Sequence, residues 1–119
     1  MSSTSVSIAL AFSAPTDSFT THVSNTYDQV GTGVLLSQQV IGTTTEPIAL
    51  GDLANVGGGL FIKNNSETNF VEIDSAVTYD KFPQKILPGR AILLASQSIT
   101  LHARANTGAV TITIGAVAA

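Results

Sequence analysis

Histidines and carboxylates are the residues with which chemistry in this chain would have to begin. The two histidines, His22 and His102, each fall in a segment of strand character. Neither has a second histidine two or four residues away to complete a metal-binding pair. Both are expected to be surface or interface residues. Glu72 and Asp74 alternate onto one face of a strand, a spacing that would suit an acid pair. Their expected role is plainer, a charged, solvent-facing strand that discourages edge-to-edge pairing. Serines are numerous, but no Gly-x-Ser-x-Gly elbow accompanies them. Gly57-Gly58-Gly59 lacks the following Lys-Ser/Thr and the helix that a phosphate-cradling loop requires. No dense acidic loop suits calcium. Asn64-Asn65-Ser66 has the form of a glycosylation sequon, which signifies little without a secretory signal. The expectation is therefore no catalytic, cofactor-binding or metal site, and no enzyme.

What must then be positioned is a surface. The 119 residues suffice for one domain with its own core. The absence of cysteine excludes disulfides, thiolate zinc sites and cysteine nucleophiles together. Charged residues make up 11% of the chain, against about 25% in an average soluble domain. Charge is what keeps surfaces apart in solution, so such a chain is expected to be covered by neighbouring subunits, as a dimer or trimer or within an assembly. Five basic residues against eight acidic ones, with no basic cluster, argue against nucleic acid as a partner. No apolar stretch reaches the roughly 20 residues of a membrane helix. The apolar run Ile8-Ala9-Leu10-Ala11-Phe12 is too short for a signal peptide and has no basic residue before it.

The hydrophobic pattern is that of strands. Val6, Ile8, Leu10 and Phe12 alternate, predicting a first strand over residues 5–13 that is either part of the main sheets or an arm or edge strand. Further strands are expected over Phe19–Tyr27, Thr32–Ile41, Ile48–Leu50, Leu60–Lys63, Phe70–Ile73, Lys85–Leu87, Ala91–Leu94, Ile99–Ala105 and Val110–Ile114. Gly31-Thr32-Gly33 and Gly42 punctuate the third strand, and Gly51–Val56 has room for one helical turn. Pro88-Gly89-Arg90 supplies turn geometry, and two hairpins are expected, around the asparagine-rich 64–69 and around Asn106-Thr107-Gly108-Ala109. The last of these looks the most secure. Residues 1–119 are expected to form one all-β domain of about eight to ten short strands, a β-sandwich of jelly-roll-like or Greek-key type.

Part of the chain also resembles a known group. Ile48-Ala49-Leu50-Gly51-Asp52, then Leu60-Phe61-Ile62-Lys63-Asn64 and Thr68-Asn69-Phe70-Val71-Glu72-Ile73, look like the turn and paired strands of a small virion structural protein of tailed bacteriophages. Leu87-Pro88-Gly89-Arg90-Ala91-Ile92-Leu93-Leu94 matches its proline-glycine turn and apolar strand, and the stretch from Ile99 to Ile114 its final alternating β hairpin. The resemblance spans roughly residues 28–115. It departs at Ala116-Val117-Ala118-Ala119, where such proteins carry a polar or acidic tail. It implies a capsid decoration or cement protein, assembled in the host cytoplasm and binding the major capsid protein or other virion proteins. The alternative within the same group is a neck, tail or fibre component acting as adaptor or receptor-binding module. A sugar-binding or enzymatic β-sandwich is the reading from a different class.

Overall fold

Ten strands alternate with turns along the computed structural model, which describes residues 3–15, 17–28, 34–51, 53, 59–81, 83–94 and 100–117. They are β1 (Ser3–Ala14), β2 (Asp17–Asp28), β3 (Val34–Ile41), β4 (Glu46–Pro47), β5 (Gly59–Asn64), β6 (Val71–Asp74), β7 (Gln84–Ile86), β8 (Ala91–Leu94), β9 (His102–Ala105) and β10 (Val110–Val117). Strands β3 to β10 form two four-stranded antiparallel sheets, ordered β3-β10-β5-β8 and β4-β9-β6-β7. The fold is all-β, and both sheets enclose one core. Gly31 to Gly33, Gly57, Gly58, Ile99 and most of the stretch expected to turn helically lie outside the described residues. So do Ala118 and Ala119.

Period-2 alternation decides which side chains meet in that core. Leu60, Ile62, Val71, Ile73, Ile86, Ala103, Ala105, Val110, Ile112, Ile114 and Ala116 are buried from both sheets, and Ile41, Ile48 and Leu101 complete the cluster. Each fully buried aliphatic side chain contributes about 1.5–3 kcal/mol, so these positions dominate the stability. Their sequence neighbours Lys63, Glu72, Arg104, Thr111 and Thr113 stand on the outer faces.

The connections differ from what local sequence suggests. β5 and β6 do not form a hairpin: β5 pairs with β10 and β8, while β6 pairs with β7 and β9. The segment expected to be the most secure hairpin is also corrected, because β9 and β10 belong to different sheets. Residues 106–109 arch between the layers. β7 and β8 are separated in the same way. The physical reason is that a short polar turn reverses the chain equally well within a sheet or across the core. The strand expected at Ile48–Leu50 pairs two residues earlier, at Glu46–Pro47, with Ile48 donating one more bond from its N–H to the Leu101 carbonyl at 2.9 Å. Pro47 is tolerated because β4 is an edge strand.

The Pro88-Gly89 turn is as expected. Arg90 N–H donates to the Leu87 carbonyl at 3.0 Å, and Gly89 has φ of 73°, the geometry of a type II turn with proline and glycine in its two central positions. An added Cβ at Gly89 would meet no atom within 4 Å. Gly89→Ala should therefore destabilise the fold by about 1–2 kcal/mol through backbone conformation alone, measurable as a lower urea midpoint.

The first strand belongs to neither of the two larger sheets. β1 pairs with β2 from Ser3↔Asp28 to Ala14↔Asp17, a separate two-stranded ribbon twelve residues long. Such a ribbon is marginal by itself in water. It touches the body where Ser7 and Ala9 lie beside Phe61, Ala91, Ile92 and Leu93, around an open cleft of about 370 Å³.

Candidate functional site

The outer faces of the two four-stranded sheets are chemically unlike. On the β4-β9-β6-β7 face, Glu72 and Arg104 are register partners, and the Arg104 guanidinium reaches the Glu72 carboxylate at 3.4 Å. The pair is partly exposed, so its contribution is at most about 1 kcal/mol. Arg104 also lies over the Tyr79 ring at 4.1 Å from its centroid, and Lys85 lies over Phe70 at 4.4 Å. Both cations of this face are thus drawn onto aromatic rings.

Asp74 corrects the expectation of a solvent-facing carboxylate pair. It is only 2% exposed. The 75–81 loop folds over it: Ser75 N–H donates to Oδ1 at 2.6 Å and Lys81 N–H to Oδ2 at 2.9 Å. Strand parity puts the side chain outward, and the loop then covers it. Its role is to organise that loop. Glu72, in contact with Arg104 and partly exposed, keeps the surface character expected of it.

Tyr79 closes the same loop with φ of 55° and a buried side chain. Burial raises its pKa above the ordinary 10.0; Thr45 and the Arg104 charge pull it down, and Glu72 and Asp74 add to the rise. The folded state therefore holds the phenolic proton more tightly than the unfolded chain. Stability present below pH 10 falls as the pH rises past it. Tyr79→Phe should remove that decline, checked by urea unfolding on either side of pH 10.

His102 sits on β9 opposite Asp74 and Pro47, half-buried. His22 pairs through its backbone with Ala9 on the ribbon, and its side chain lies outside the described residues. Among the described residues no group of three His, Asp or Glu side chains is placed to hold a metal ion.

The β3-β10-β5-β8 face carries a different surface. Val34, Leu36 and Val40 point outward along β3 and are 69%, 82% and 62% exposed. In register, Leu36 lies beside Gly115, which lies beside Phe61, which lies beside Leu93. This makes an apolar row across the whole sheet. The ring of Phe61 packs at ordinary contact distance from the space above Gly115. Gln38, Thr113 and Lys63 form the next row.

The arrangement offers surfaces for contact, with no assembled set of reacting groups among the described residues. Sequence reasoning missed the exposed stripe because Val34-Leu35-Leu36 is apolar on both strand faces, so parity alone does not say which side is covered. It also missed Asn64, fully buried and hydrogen-bonded to 69 and 86. The signal was present, since Asn64 shares the parity of Leu60 and Ile62. No family model, curated protein or solved structure matches the chain.

Proposed function

We propose that this chain is a virion structural protein, a capsid decoration or cement protein that binds and stabilises the shell of the major capsid protein. We further read the fold as a jelly-roll β-sandwich. Numbering the eight body strands from β3, the two sheets have the order 1-8-3-6 and 2-7-4-5, which is the interleaving a jelly roll produces. The observation that carries the functional reading is the low-charge outer face of the β3 sheet, with three large aliphatic side chains held in solvent. Patches of this kind mark protein contacts. The resemblance of residues 28–115 to phage virion proteins supplies the setting, and repetition by symmetry lets many weak contacts of this type add up.

The decisive experiment is quantitative mass spectrometry of purified phage particles that encode the chain. Decoration requires tens to hundreds of copies for each particle. A few copies would replace this reading by the neck, tail or fibre one, and absence from particles would end both.

A further inference from the structure

We infer that the free edge of β3 is a self-association surface, at which a second copy of this chain adds its own β3 antiparallel across a twofold axis through Ser37. β3 ends its sheet, and among the described residues nothing pairs with its outer edge. Exposed strand edges are ordinarily blunted by shortness, charge or proline. The other edges of the two larger sheets follow that rule: β4 has two residues and contains Pro47, β7 has three and contains Lys85, and β8 has four and follows Arg90. β3 has eight residues, Val-Leu-Leu-Ser-Gln-Gln-Val-Ile, with neither charge nor proline.

Charge and length together select a second copy as the occupant. A twofold pairing brings a charge near the axis close to the same charge of its partner, so an edge without charge there pairs with its own copy free of repulsion. β3 is neutral throughout. A partner edge must also be as long, and none of the other edges of the two larger sheets approaches eight residues. Register follows from parity. Outward side chains of the two copies share a face only if paired residue numbers sum to an even value. With the axis at Ser37, Val34 faces Val40 of the second copy, and Leu36 faces Gln38. The two outer faces then join into one eight-stranded sheet, in which the Leu36 row of each copy runs on into the Gln38 row of the other. Gln39, on the other side of the strand, is already engaged: its amide donates to the Pro47 carbonyl at 3.0 Å and accepts from Ala49 N–H at 2.9 Å. That bracing holds β3 in place for pairing.

Sedimentation velocity of the purified full chain tests this without any phage component, so its outcome is independent of the virion reading. Wild type should shift from monomer to dimer over about 1 to 100 µM, as mass action requires. The double variants Leu36→Lys/Gln38→Lys and Leu36→Glu/Gln38→Glu alter only exposed positions, and each should retain the wild-type circular dichroism spectrum. Each places two like-charge pairs directly opposite across the axis and should weaken dimerisation about tenfold or more. Mixing the two variants turns those pairs into opposite charges and should restore the dimer. A wild type that stays monomeric, a trimer, or double variants that dimerise as tightly as wild type would each overturn the proposal. So would a mixture that fails to associate.

Discussion

Asn64→Leu should lower the unfolding free energy by about 3–5 kcal/mol, although the substituted side chain is similar in size and apolar. Asn64 is wholly buried at the end of β5. Its amide donates to the Asn69 carbonyl at 2.8 Å and to the Ile86 carbonyl at 2.9 Å, while its Oδ1 accepts from Ser66 N–H at 2.8 Å. Leucine would leave these backbone groups without that partner, the Ile86 carbonyl in a buried position. Each buried group left unsatisfied costs about 1–3 kcal/mol. Three bonds converge on one side chain because the chain leaves one sheet for the other here, and its turning backbone has no ladder to join. Asn64→Asp should be at least as damaging, since it points a carboxylate oxygen at two carbonyl oxygens. Asn65→Ala, one residue on, removes only an exposed bond to the Thr113 hydroxyl and should cost less than about 1 kcal/mol. Urea unfolding of the three variants beside wild type checks the ordering, with midpoints moving and slopes unchanged.

Ile62→Ala is the second large effect, about 2–5 kcal/mol. Ile62 lies between Ile114 of β10 and Ile92 of β8, with none of its surface exposed. Removing three carbons there opens a cavity in the middle of a four-stranded sheet, where neighbours on both sides are held by ladder bonds and cannot close in. Lys63→Ala, on the opposite face, should stay within about 0.5 kcal/mol of wild type. Equal losses at the two positions would contradict the inward and outward assignment of β5. Thermal unfolding of the pair decides it.

That assignment was legible in the sequence, and so was most of the core. Ile99, Leu101, Ala103 and Ala105, then Val110, Ile112 and Ile114, announce their buried face by alternation; Leu101 through Ile114 are found buried, Ile99 lying outside the described residues. Partnership is a different kind of information. The 106–109 turn has the composition of a hairpin loop, yet β9 and β10 diverge into separate sheets, because what distinguishes a hairpin from an arch is the non-local competition for β10. That strand finds β3 on one side and β5 on the other. Among β3 to β10, β6 and β7 are the successive strands that pair. The candidate surfaces were legible to a similar degree. Low charge pointed to contact, but whether Leu35 or Leu36 faced solvent depended on which of them the core claimed. Asp74 was misjudged because its burial comes from a loop, and strand parity says nothing about loops.

The place of β10 has a consequence for how the chain is made. It is the last of the described strands, yet it occupies the second position of its sheet, between β3 and β5. While the chain is being synthesised, β3 and β5 have no bridge to each other, and their buried faces wait for residues 110–117. Folding of the body must therefore be a late and slow event dominated by distant pairings. Until it is complete, the bare flanks of β3 and β5 are held apart only by the connections between them, which makes the nascent chain a natural client for chaperones.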